Sequence, residues 1–144
     1  MRIYLDNCCF NRPFDDQTQL RIMLESEAKL KIQENISLGY YSLVWSYILD
    51  YENSKNPFKE RRKQIERWRK YSGIDITENE EIIGFAQRIS LKGVKKMDSL
   101  HLACAIEAEA KYFLTTDDKL IKRGSDIEDI QVIDPISFVK EMLL

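Results

Sequence analysis

Short apolar runs alternate with longer amphipathic stretches along this chain. "RIYL" leads straight into Asp6, so residues 2–6 are expected to form a first, buried strand. From about Asp16 to Ile36, Leu20, Leu24, Ala28, Ile32 and Ile36 recur every four positions, which predicts one face of a long helix. Gly39 breaks that pattern, and the aromatic and branched residues of "YYSLVW" suit a second strand. Ser46 is placed to cap a helix over 47–54. Asn56-Pro57 ends it and opens another, "FKERRKQIERWRKY".

"GIDIT" reads as a turn with room for a short strand. Thr77, with Glu80 three residues on, resembles a capping box for a helix reaching Leu91. Gly93 closes that helix and "MDSLHLACAIEAEAK" forms the next. "YFLTT" predicts a strand, Asp117 onward a short helix stopped by Gly124, "IQVI" a last strand, and Pro135 a terminal helix. Strands separated by helices imply an α/β domain with a mainly parallel central sheet flanked by helices on both faces.

The composition fits that picture. The 144 residues suffice for one domain spanning 1–144, and 44% hydrophobic with 32% charged is an ordinary globular balance. No apolar run approaches a membrane span and the first residues lack the sections of a signal peptide, so a cytoplasmic protein is expected. Cys8, Cys9 and Cys104 are an odd number, which argues against a disulfide framework. Adjacent cysteines in an extended segment would point to opposite faces, so zinc ligation with His101 is disfavoured and packing as small hydrophobes is preferred. The net charge of −2 excludes a nucleic-acid binder driven by global charge and leaves local charge open.

The chemistry lies in the acids. Parallel sheets gather their sites beyond the carboxyl ends of the strands. Asp6 and Asp117 follow predicted strands, Glu52 sits on the helix after the second strand, and Asp98 lies in the first turn of "MDSLHLACA". Four carboxylates brought together repel unless a cation intervenes, and a hard divalent ion such as Mg²⁺ or Mn²⁺ takes such oxygen ligands. Each acid also has a plainer reading, as a helix cap or a partner of the helix dipole.

The order and spacing of these acids resemble the PIN-domain family of metal-dependent nucleases, which includes the VapC-like toxins. "IYLDNC" is similar to the first-strand motif and places its acid at Asp6. "SYILDYE", a serine six residues ahead of an acid, gives Glu52; "LKGVKKMDSLHLACA", a glycine five residues ahead, gives Asp98; "YFLTTDDKLI" gives Thr115 and Asp117. The resemblance implies a PIN-like three-layer fold and a Mg²⁺- or Mn²⁺-dependent endoribonuclease. It further implies the toxin of a toxin–antitoxin pair, with an RNA substrate, a cognate antitoxin and a homodimeric state.

Asp6 and Asp98 would then be the principal metal ligands, Glu52 would ligate or orient the attacking water, and Asp117 would hold a second metal or a water. Thr115 would fix a carboxylate, with Asn7 standing where the family more often has a hydroxyl. Asp50 competes with Glu52, lying about 200° away on a helix, and Asp118 competes with Asp117.

Lys59–Lys70 carries Lys59, Arg61, Arg62, Lys63, Arg67, Arg69 and Lys70 around Ile65 and Trp68. It reads as a solvated amphipathic helix with Ile65 and Trp68 inward, and Arg61, Arg62 and Trp68 would also suit RNA binding. Arg12 would meet a substrate phosphate or pair with Asp15 or Asp16. Two other functions fit an acidic sheet edge: a phosphoacceptor receiver-like signalling module, and a PIN-like scaffold that binds RNA without cleaving it.

Overall fold

The computed structural model describes all 144 residues. Strand β1 (Arg2–Leu5) is followed by a short helix α1 (Asn7–Asn11), a 3₁₀ turn (Arg12–Phe14) and the long helix α2 (Leu20–Ser37). Then come β2 (Ser42–Ser46), α3 (Tyr47–Ser54), α4 (Lys59–Glu66), a second 3₁₀ turn (Arg67–Tyr71) and β3 (Ser72–Ile76). Helices α5 (Glu80–Ser90) and α6 (Lys96–Glu107) precede β4 (Tyr112–Leu114), α7 (Asp118–Gly124), β5 (Gln131–Ile133) and α8 (Pro135–Leu143).

The five strands form one all-parallel sheet in the order β3-β2-β1-β4-β5. With helices on both faces, this is the three-layer α/β arrangement that the alternating pattern predicted. The order also separates the chain from receiver-type sheets, which run 2-1-3-4-5. Central β1 carries Ile3, Tyr4 and Leu5, all fully buried, in a continuous core with Trp45, Phe113 and Phe138. Tyr4 stacks on Phe113 of β4, ring centroids 5.2 Å apart. Burying each such side chain contributes about 2 kcal/mol.

Several boundaries move, for local reasons. The first strand stops at Leu5, because the Asp6 carboxylate accepts from the Asn7 N–H at 2.8 Å and caps α1. The cysteines therefore stand on a helix, not on an extended segment. Asn79, not Thr77, caps α5, accepting from the Ile82 N–H at 2.8 Å. "GIDIT" contributes a full strand, β3, paired to β2.

Helix α2 starts at Leu20, and only Ala28, Ile32 and Ile36 of its expected stripe are buried. Leu20 and Leu24 face solvent. Near that end the helix instead buries Glu25, which receives Arg12 from the 3₁₀ turn at 3.0 Å. Gly93 turns the chain between α5 and α6 with φ +88°, a conformation few side chains tolerate. No helix is long and apolar enough to cross a membrane.

Candidate active site

Parallel strands all end at one edge, and the acids arrive there on the segments that leave it. Asp6 follows β1 directly, and its backbone N–H continues the ladder to the Leu114 carbonyl at 2.9 Å. Asp117 follows β4 after two buried threonines and caps α7, accepting from the N–H groups of Lys119 and Leu120. Ser46 at the end of β2 caps α3 by accepting from the Leu49 N–H, and α3 carries Glu52. Asp98 lies in the first turn of α6, where the helix dipole favours an anion.

The inner part of the site is Asp6, Glu52 and His101. Asp6 Oδ, Glu52 Oε and His101 Nε2 include one atom each that all lie within 4.8 Å of one another. Opposite ligands of an octahedral Mg²⁺ or Mn²⁺ stand about 4 Å apart, so this donor set fits one divalent cation. His101 is fully buried; Nε2 is hydrogen-bonded to Glu52 and lies 3.8 Å from Asp6 Oδ1. Its Nδ1 meets the Tyr4 hydroxyl at 2.5 Å, and that hydroxyl meets Ser46 Oγ at 2.7 Å. A buried chain thus runs Glu52–His101–Tyr4–Ser46 through α3, α6, β1 and β2.

Asp98 and Asp117 line a small cleft with Lys95, Lys119 and Arg123 beside this cluster. Burial, reinforced by the charges of Asp6, Asp117 and Glu52, pushes the Asp98 carboxyl up to about 6. Burial alone would pull the His101 imidazolium down, but its bond to Glu52 and the charges of Asp6, Glu52 and Asp98 raise it above its ordinary value. The cluster is a concentration of negative charge with a single imidazole as its internal partner.

Thr115 donates its hydroxyl to Asp6 Oδ2 at 2.9 Å. Cys8 Sγ stands 3.4 Å from both Asp6 Oδ2 and Thr115 Oγ1, so one cysteine borders the carboxylate, while Cys9 is buried against the Leu114 carbonyl. No cysteine joins a cluster of potential metal ligands. The Asn7 side-chain oxygen is buried without a partner.

The competing acids separate cleanly. Asp50 accepts from the Trp45 indole N–H at 2.9 Å, whereas Glu52 meets His101. Asp118 forms a two-bond pair with Arg21 on the surface, each bond 2.7 Å, whereas Asp117 faces the cleft with Asp98.

The basic residues are largely committed within the fold. Arg12 binds Glu25 at 3.0 Å and Asp15 at 3.1 Å. Arg61 donates to the Phe14 carbonyl and lies over the Phe58 ring, and Arg62 donates to the Asn56 carbonyl. Trp68 packs against the core beside Tyr71, and Ile65 is buried, as the amphipathic pattern required. The exposed basic side chains of this stretch are Lys59, Lys63, Arg67, Arg69 and Lys70.

His101 is the site residue that spacing alone did not single out. Its signal was there: Asp98 and His101 stand three apart, one helical turn, so both can face one site.

The architecture is that of the PIN fold, as the motif resemblance implied. Solved structures with this fold include the DNA-bound VapBC of Salmonella typhimurium, with 16% identity, TM-score 0.58, and 94% of this chain and 98% of that one covered. VapBC-1 of nontypeable Haemophilus influenzae is similar at 18% identity and TM-score 0.58, covering 94% and 98%. VapBC2 of Rickettsia felis, bound to a promoter DNA fragment, matches at 16% identity and TM-score 0.56, covering 92% and 97%. No family model and no curated protein matches the sequence.

Proposed function

We propose that this chain is a divalent-metal-dependent endoribonuclease that hydrolyses RNA phosphodiester bonds, and that it is the toxin of a toxin–antitoxin pair. The observation that carries the reading is the meeting of Asp6, Glu52, Asp98 and Asp117 at the carboxyl edge of a parallel sheet. So much negative charge in a partly buried site is costly without a cation. The likeness to chains of VapBC structures supports the toxin reading and with it an antitoxin partner; a homodimeric state is part of the same proposal.

In this reading Asp6 and Asp98 would be the principal ligands of Mg²⁺ or Mn²⁺, with Glu52 at the same ion, and Asp117 would extend the acidic wall toward a second ion or an ordered water. The bound cation would supply Lewis-acid polarisation of the scissile phosphate and a more acidic water. Thr115 keeps Asp6 in one rotamer, and Asn7 lines the edge beside it. Glu52, beside the ion, would orient the attacking water in line with the departing oxygen. Arg61, Arg62, Arg12 and Trp68 shape the flank along which RNA would lie, with the exposed Lys59, Lys63, Arg67 and Lys70 supplying phosphate contacts.

The test is incubation of purified protein with structured RNAs in Mg²⁺, Mn²⁺ or EDTA, beside Asp6→Asn and Asp98→Asn. Cleavage that needs the metal and disappears in both folded variants is expected. Undiminished cleavage by both variants rules out this site. RNA binding without cleavage by the wild type would favour the scaffold reading.

A further inference from the structure

We propose that His101 is a nitrogen ligand of the cation held by Asp6 and Glu52, so that the site prefers Mn²⁺ and related transition ions over Mg²⁺. The inference rests on the reading that this acidic cluster holds a divalent cation, and it adds the ligand that decides which one.

The placement of the ring carries it. His101 is fully buried, yet its Nε2 is turned to the acids: it is bonded to Glu52 and stands 3.8 Å from Asp6 Oδ1, all within the span of a single ion. A core histidine kept for packing would satisfy both nitrogens among neutral partners. Here one nitrogen is given to the carboxylates of Glu52 and Asp6. Asp98 lies one turn earlier on α6, and a carboxylate and a histidine at this separation on a helix are a recurrent metal-binding pair.

The far side of the ring is prepared for ligation. A metal-bound histidine donates its other N–H to an oxygen, which fixes the ring. The Tyr4 oxygen is 2.5 Å from Nδ1, and Ser46 Oγ is 2.7 Å further along to take the Tyr4 proton. Because either hydroxyl can act as donor, the same heavy-atom positions serve both states. Without metal, Nε2–H donates to Glu52. With metal, Nε2 is the ligand, the ring's one proton stands on Nδ1 and is donated to Tyr4, and the Tyr4 proton turns to Ser46, so the ring stays neutral and the proton count is unchanged.

An imidazole ligand shifts the selectivity. Mg²⁺ favours oxygen ligands and retains its waters, whereas first-row transition ions gain from a nitrogen donor.

His101 is the only histidine of the chain, so a nitrogen signal has one source. The experiment is pulsed electron paramagnetic resonance of Mn²⁺ bound to the tag-free protein, with calorimetric titration by MnCl₂ and MgCl₂. Coupling to one imidazole nitrogen is expected, with Mn²⁺ bound about tenfold or more tighter than Mg²⁺. His101→Gln should lose the coupling and most of the preference. Tyr4→Phe should keep the coupling and bind Mn²⁺ roughly tenfold more weakly. Circular dichroism establishes that each variant is folded, and the wild-type spectrum decides the matter even if His101→Gln is not.

Mn²⁺ that binds without nitrogen coupling, and is lost in Asp6→Asn, overturns the role of His101 and leaves the acidic metal site standing. If neither ion binds the wild type, both readings fall.

Discussion

Thr115 and Asp6, 109 residues apart in sequence, share a buried hydrogen bond of 2.9 Å at the adjoining ends of β4 and β1. Asp6 is also held by the Asn7 N–H, so its two oxygens are fixed from opposite sides. A carboxylate so restrained presents its remaining lone pairs in one direction. Thr115→Val keeps the shape and removes the hydroxyl. It is expected to lower metal affinity and RNA cleavage about 10- to 100-fold, while unfolding stability changes by about 1 kcal/mol. Calorimetric Mn²⁺ titration and thermal unfolding measure the two effects separately.

Asp98 links the site's charge to stability. Its carboxyl is pushed up to about 6, chiefly by burial, so the folded state binds the proton more tightly than the unfolded chain. That contribution is fully present below about pH 4 and is lost as pH rises through about 6. In the absence of metal, Asp98→Asn should therefore be more stable than wild type at pH 7. The gain is about 1 kcal/mol after screening of this partly exposed group. Added Mn²⁺ should reverse the order by stabilising only the wild type. Thermal melts at pH 4, 5.5 and 7 with EDTA or Mn²⁺ provide the comparison; equal melting temperatures at pH 7 in EDTA would contradict it.

Asp117 and Asp118 differ in what surrounds them. Asparagine caps helices about as well as aspartate, so Asp117→Asn preserves α7 and removes only the charge. Cleavage should fall at least about tenfold with little change in melting temperature. Asp118→Asn breaks the exposed pair with Arg21 and should leave cleavage within about twofold, because such pairs contribute little. Parallel rate measurements on the two variants would expose a reversed assignment.

Lys29 makes no ion pair and lies nearly buried, its ammonium 5.3 Å from the centre of the Phe10 ring. Burial pulls it down to about 7. Below pH 7 both folded and unfolded chains carry the charge and its cost is complete. Between about 7 and 10.5 the folded amine is neutral while the unfolded one still binds a proton, so stability rises with pH. Lys29→Met should stabilise the protein at pH 7 by a few kcal/mol, on the order of the cost of the buried charge, and flatten that rise. Urea denaturation at pH 6, 8 and 9.5 tests both parts.

Much of this was legible in the chain. "IYLD" and "YFLTTDD" announced buried strands that deliver acids to one edge, because an interior parallel strand covered on both faces is apolar throughout and its polar successor lies outside the sheet. Ser46, Pro135 and Gly93 marked helix boundaries by chemistry that acts within a few residues. The four acids followed from spacing and from the resemblance built on it. Helix α1 was not legible: its five residues show no period, and it exists because Asp6 caps it. Nor was the choice of Asn79 over Thr77, since both have capping side chains within reach of the same turn.

The sequence by itself determined the alternation of elements and the parallel sheet, and it nominated the acids, because periodicity and capping are local. Only the tertiary structure decided the sheet order, the placement of Asp117 in the cleft and Asp118 against Arg21, and the position of His101 beside Glu52. Those depend on which segments lie side by side. A lone histidine three residues from an aspartate has no assigned partner until α6 packs beside α3 and β1. Then its two nitrogens meet Glu52 and Tyr4 across separations of 49 and 97 residues.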